Sequence, residues 1–475
     1  MPKDERRDVE STPIDRSQKD SRARRKSSGI YRLHFDLKVA KNAPEGSGKR
    51  RPRFADFDLN AQIMRLRHVK TLPNLAYLAI EYATIAVVVA ATITFAEYRS
   101  SWNIAWGWNV PVFAVAIVLI GGLQHRLAGL GHESSHYTLV KNKFAGDLLG
   151  DLFCMFPILS CIHFYRLFHL AHHQFTNDHE RDPDLVNMGR SKFIDRFPMS
   201  RNRFVRWFYL RMFSDPVSFA RYQWDYLYVN TFGKGGNVYM RGVEGGDGAK
   251  TGIRLGTLIG LGFLLGFNAL LALLTRNGST AAIAPAGAAA IAIAIAGAYL
   301  IPEAIIYRSP FRQPYSPRLA SAIRLCYYTM LIMFLAWLRV RTNGRSALYV
   351  LLLWLVPLSS TFSLFLLLRD VYQHANADRG RLTNSRVFFC DPFTRWAVFV
   401  YGQDMHVPHH LFPAIPHYRL RKLHELLRST HDEYASQVVE CHGTFNDRGG
   451  RTTILDTLTK PRIDHAESVA QRVVD

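Results

Sequence analysis

The sequence predicts an all-α integral membrane protein, with transmembrane helices and a cytosolic histidine-rich helical cap. Three observations lead there. Apolar segments close to the roughly 20 residues that a helix needs to cross a bilayer recur along a chain of 475 residues. Polar, arginine-rich stretches separate them, so the 48% apolar content is strongly partitioned along the chain. Three histidine clusters, His132-x3-His136, His169-x2-His172-His173 and His406-x2-His409-His410, lie beside the apolar segments and not inside them.

The amino-terminal stretch, residues 1–69, is basic and has no apolar core of the kind a signal peptide requires. It reads as a disordered cytosolic tail. A membrane domain follows over 70–430, with about six apolar segments: 73–95 (interrupted by Glu81), 104–124, 254–274, 283–305, 323–338 and 347–368. Segment 323–338 is the shortest, and a half-inserted or interfacial helix is its alternative. The polar interval 177–250, with Arg190, Lys192, Arg196, Arg201, Arg203 and Arg206 among aromatics, reads as interfacial helix. A glycine-rich connector begins at Gly233. Residues 431–475 read as a soluble carboxy-terminal tail.

With the amino terminus inside, two spans return the chain before His132 and four more return it before His374 and His406. All the histidine clusters then share one face, as a single site requires. Arg308, Arg312, Arg318 and Arg324 fall on that same side, as positive residues tend to. Arg339, Arg341 and Arg345 fall on the other.

The net charge of +21 speaks to non-specific attraction and not to fold. Its arginines flank membrane spans, where they attract anionic lipid, and imply no nucleic-acid partner. Five scattered cysteines form no C-x-x-C pair, which argues against a disulfide framework or a cysteine-based metal site. No dinucleotide fingerprint is present, because the glycines after Gly233 lack the required spacing and strand–helix setting.

On a helix, His132 and His136 stack one turn apart, and His169, His172 and His173 share one face. His406, His409 and His410 straddle a bend or open a helix, since Pro408 restricts Val407 before it. Imidazole suits Fe, Zn, Cu and Ni and suits Mg or Ca poorly. Eight such nitrogens exceed what one tetrahedral structural zinc takes, so more than one ion is expected. Iron, zinc and copper all stay open at this point. A transporter would place polar groups near the middle of its helices, and only Glu81 lies there.

The segments GLGHESSH, FYRLFHLAHHQFTNDHERDPD and HVPHHLFPAIPHYRL, taken together, resemble the membrane fatty acid desaturase family, in particular its bacterial members, over about residues 70–430. That resemblance implies two Fe ions on the cytosolic face, with O2 as co-substrate and a fatty acid or lipid acyl chain as the substrate receiving a double bond. It implies a metal set of His132, His136, His169, His172, His173, His406, His409 and His410, joined by His374 after the last span. Asp370, Asp404, Asp182 and Asp184 are then candidates to support those ligands, Asp404 by accepting from an imidazole N–H. Asp182 and Asp184 have a salt bridge to Arg166 as their alternative. Asn177 and Glu133 are lesser candidates. His125 reads as structural, His163 stands at a spacing that matches neither ligand pattern, and His179, His417 and His424 read as hydrogen-bonding to lipid headgroups or backbone. Tyr165, Phe168 and Trp396 read as ordinary interfacial aromatics. The resemblance further implies a ferredoxin or cytochrome electron donor with its reductase, and a bacterial inner membrane. A hydroxylase or ketolase acting on alkyl, acyl or carotenoid chains uses the same histidine pattern and is the alternative reaction.

Overall fold

Apolar segments with all their backbone hydrogen bonds made internally are what lipid tolerates, and long helices answer that demand here. The structure is a computed structural model that describes residues 57–188, 196–233, 239, 249–307 and 311–461. Among the described residues of Asp56–Asp475, one compact unit, six helices are long and apolar enough to cross a membrane. A short helix α1 (Phe57–Leu66) precedes α2 (Thr71–Tyr98) and α3 (Asn109–Ser135). The protein is therefore an integral membrane protein. The expectations for residues 1–56, Arg190, Lys192, Arg308 and most of the connector after Gly233 lie outside the described residues.

Helix α3 runs eleven residues beyond the expected end at 124, so the first histidine cluster sits on the last turns of the second span. Next, Lys143–Ile158 meets α4 (Ile162–Phe175) at 90°, with Leu159 in the left-handed region at φ 62° between them. This broken pair lets α4 lie across the bundle end and carry the second cluster. Helix α5 (Pro216–Asn230) packs beside it and occupies part of the expected interfacial stretch. The spans α6 (Ala249–Leu274), α7 (Ile283–Leu300) and α8 (Pro317–Arg341) pack through Phe267, Leu271, Ile283, Ala290 and Ala336. Their other faces leave Leu258, Leu265, Ile293 and Leu300 exposed, as a lipid-facing surface does.

The apolar segment at 323–338 is the middle of a full 25-residue helix. Ser316 caps it by accepting from the Leu319 N–H at 3.2 Å, and Pro317 suits the first turn, where no N–H partner exists. Its polar ends hid its length. The sixth span, α9 (Arg345–His374), contains two π-helical turns, Leu351–Leu355 and Leu358–Phe362. Such turns re-aim the residues that follow, and here His374 follows. At Gly121 the α3 backbone comes so close to α9 that a β-carbon would collide with Thr361. Close small-residue packing of this kind is how helices associate where no hydrophobic drive exists. Glu81 is not an orphan acid: its carboxylate takes Arg126 of α3 at 2.8 Å and the Tyr401 hydroxyl.

After α9 the chain forms strand β1 (Val387–Phe389), then α10 (His406–Leu411) and α11 (Leu420–Thr430). Strand β2 (Glu440–His442) pairs parallel with β1, Phe388 opposite Cys441. The all-α expectation is thus short by one three-residue ladder, too brief to show as a period in sequence. Packing also does not stop at 430. Cys441, and Ile454, Leu455 and Leu458 of α12 (Ile454–Thr459), are buried in one cluster with Val371 and Tyr372 of α9. At the other boundary, Leu59 and Ile63 of α1 are buried although they precede residue 70.

Candidate metal centre

Each histidine cluster is delivered by a helix end. His132 lies in the last turn of α3 and His136 caps it. His169, His172 and His173 share one face of α4, and His374 is the last residue of α9. In the third cluster His406 opens α10, and Pro408 sits in the first turn, where it costs no helical hydrogen bond. One short helix therefore carries all three of its histidines at i, i+3 and i+4.

The nine side chains fall into two groups. His132, His136, His169, His173 and His409 form one, and His172, His374, His406 and His410 the other. In each group the ligand nitrogens lie within 4.8 Å of one another. The groups adjoin: the rings of His173 and His410 stack with centroids 4.3 Å apart. Sequence neighbours are thus dealt to different groups, His172 from His173 and His409 from His410.

The nitrogen geometry suits cations at the two centres. His374 Nδ1 stands 3.1 Å from the Asn384 carbonyl, and His172 Nδ1 stands 3.0 Å from both Asp182 and Asp184. Thr176 Oγ1 donates to the His172 carbonyl, so it accepts from His410 Nδ1 at 3.1 Å. With Nδ1–H donating in each of these, the Nε2 atoms of His374 and His410 are bare in the neutral ring. Both point at His406 Nε2, at 2.9 and 3.0 Å. One proton on His406 cannot serve both, whereas a cation between them serves all. His169 Nε2 faces the same conflict, with His136 at 2.9 Å and His173 at 3.0 Å. Burial, followed by neighbouring imidazoles, pushes His136, His406, His409 and His410 well below the ordinary imidazole range. They are neutral at pH 7 and so free to donate to a metal.

Residues 106–300 and 284–441 match the family model described as "Fatty acid desaturase". The chain belongs to the fatty acid desaturase family. Among curated relatives, this desaturase-family protein is 32% identical over 148 residues to the dihydrorhizobitoxine desaturase of Bradyrhizobium elkanii, covering 31% of this chain and 38% of that one. It is 28% identical over 94 residues to the Delta 8-(E)-sphingolipid desaturase of Emericella nidulans, covering 20% and 16%. It is 23% identical over 154 residues to the sn-1 acyl-lipid omega-3 desaturase (ferredoxin) of Nostoc, covering 32% and 37%. The matched segments thus span less than two fifths of the length of each of these relatives.

The four candidate supporting acids of this desaturase-family protein separate into two kinds. Asp182 and Asp184 both face His172 Nδ1, and Asp182 also takes the Asn177 N–H at 2.7 Å. They do not pair with Arg166, which is held by Asp147 instead. Among the described residues Asp404 accepts from no imidazole: its carboxylate faces Arg395 at 3.2 Å instead. Asp370 is one turn from His374, yet its carboxylate goes to Arg369 at 2.6 Å and accepts from Tyr226 at 2.5 Å. Glu133 stands 3.6 Å from His132 Nδ1 and also takes the His417 N–H at 3.0 Å. Tyr165, read from sequence as interfacial, is stacked on His169 with centroids 5.3 Å apart. Its position at i−4 on the same helix face was the available signal.

Five of the nine histidines (His132, His169, His172, His374 and His406) reach the wall of a cavity of about 310 Å³. Its apolar lining includes Met155, Ile158, Phe168, Leu358, Phe362 and Leu366. Leu355 and Ser359, on the same wall, are exposed on the surface of α9.

Because Asp182 orients His172, Asp182→Ala is expected to weaken metal binding by roughly 10–100-fold with the fold intact. Metal titration against a chelator, beside Asp404→Ala as a control that leaves affinity unchanged, measures it.

Proposed function

We propose that this protein is a di-iron, O2-dependent desaturase that introduces a double bond into the acyl chain of a fatty acid or lipid. The observation that carries this reading is the pair of all-histidine groups at the wall of a largely apolar cavity. His132, His136, His169, His173 and His409 would hold one iron, and His172, His374, His406 and His410 the other. Two irons so held supply O2 reduction coupled to C–H oxidation: –CH2–CH2– + O2 + 2 e⁻ + 2 H⁺ gives –CH=CH– + 2 H2O.

The chain's own residues do the positioning. Phe168, Phe362 and Leu366 keep water out and hold an acyl chain extended along the cavity, since which carbon reacts is set by which one is held near the metal pair. Asp182, Asp184, Thr176 and the Asn384 carbonyl accept from Nδ1 atoms, fixing the tautomers that leave Nε2 for metal. The two electrons come from a separate ferredoxin or cytochrome fed by a reductase. A relative whose name includes ferredoxin supports this, as does a net charge of +21 that attracts an acidic donor. All nine histidines lie at the end of the bundle opposite the Arg345–Glu97 ion pair. With the basic amino terminus inside, that end is the cytosolic face of a bacterial inner membrane.

Expression in a bacterial host, with mass spectrometry of total lipids, tests the reading. Acyl chains lighter by two mass units, absent from a His172→Ala/His173→Ala variant, are the expected result. A gain of one oxygen atom instead would make it a hydroxylase.

A further inference from the structure

Ion pairs inside membrane-spanning segments are costly and mark function unless they build the fold. The pair Glu81–Arg126 builds the fold, because it ties α2 to α3. Arg369–Asp370 differs. The two are adjacent on α9, so their contact cross-links no elements. Both line the cavity, one turn before His374. Asp370 has a structural task, since Tyr226 of α5 donates to it. Arg369 has none: its Nε and Nη2 go to its own neighbour at 3.1 and 2.6 Å, and among the described residues its Nη1 makes no hydrogen bond. Arg369 lines the same cavity as His132, Tyr165, His169 and His374, which places it beside the metal centre. Gln373 and Gln403, hydrogen-bonded to each other at 3.1 Å, add further polarity to the same wall.

A saturated hydrocarbon gains nothing from such a wall at the reacting position. We propose that Arg369 binds an oxygen on the substrate, within a few bonds of the carbons that lose hydrogen. Because Asp370 already neutralises Arg369 and Asp184 lies on the same wall, the oxygen is an uncharged one: the carbonyl of an ester or amide, or a hydroxyl. The double bond therefore forms near the oxygen-bearing end of the chain and not deep within it. This inference rests on the desaturase reading for its reaction, but the seat itself is testable without metal.

Metal-free full-length protein in nanodiscs is titrated with methyl decanoate, 1-decanol, decanoate and undecane, with empty nanodiscs subtracted. Binding of the ester or the alcohol about ten-fold tighter than the hydrocarbon is expected, as one hydrogen bond to a charged donor gives. Whichever of the two binds tighter identifies the oxygen type. The preference disappears in Arg369→Met and survives in part in Arg369→Lys. Equal affinity for all four probes, or a preference unchanged in Arg369→Met, overturns the proposal. Tighter binding of decanoate than of both neutral probes overturns its uncharged class. If Arg369→Met does not fold, the wild-type comparison together with Arg369→Lys decides. Protein that binds two irons yet shows no preference loses the seat and keeps the di-iron reading. Protein that shows the preference but binds no iron does the reverse.

Discussion

Purified His406→Ala protein is expected to carry about one iron where the wild type carries two, and to lose desaturation altogether. His406 is the hub of the smaller group, with the Nε2 atoms of both His374 and His410 aimed at its own. Its loss leaves three nitrogens around that centre, and since orienting partners alone shift metal affinity by roughly 10–100-fold, loss of a ligand is expected to shift it more. The larger group shares no residue with the smaller one and retains its five imidazoles. Iron content by atomic spectroscopy and product analysis on the same sample measure the two effects. Full retention of two irons would sink the assignment of His406. His125→Gln is the matched control. That buried imidazole hydrogen-bonds the Ala397 carbonyl at 2.7 Å and belongs to neither group, so iron stays at two.

The second large effect is on stability. Arg166, on α4, makes two bonds to Asp147 at 2.8 and 2.5 Å and also donates to the carbonyls of Ser134 and Ser135 at 3.0 and 2.9 Å. It thereby pins the carboxy-terminal end of α3, which carries His132, to the helix that carries the second cluster. Arg166→Met leaves Asp147 buried without its counter-charge, which costs about 3–5 kcal/mol. Thermal unfolding in detergent is expected to show that loss, together with loss of iron. The double variant Arg166→Met/Asp147→Leu removes both charges and is expected to recover most of the stability. It does not recover iron binding, because the clamp on α3 is still missing. Recovery of both together would mean that the pair holds the fold and not the geometry of the clusters.

The six spans were legible because twenty apolar residues in a row have few other uses. Their ends were not, because past 124 helix α3 mixes buried polar residues such as His125, His132 and Glu133 into its apolar run and the hydropathy signal fades, and α8 is framed by arginines. The eight histidines of the three clusters were equally legible, since imidazoles at i, i+3 and i+4 share a face wherever the helix goes; His374, alone in its segment, was reached only through the family resemblance. Which acid serves which imidazole was not. Asp404 is two residues from His406 in sequence, yet its carboxylate faces Arg395. Asp182 lies ten residues from His172, and the bend after α4 folds it back onto Nδ1. Likewise the division into two groups, which parts His172 from His173 and His409 from His410, follows from helices crossing at angles that only packing sets. Local sequence thus determined what depends on period and composition: the spans, the histidine faces and the family. The tertiary structure alone decided the partners of Arg166 and Asp370, the polar wall at Arg369 and the docking of 440–459. Those depend on contacts between residues far apart in the chain, and no local pattern records the closure of such loops.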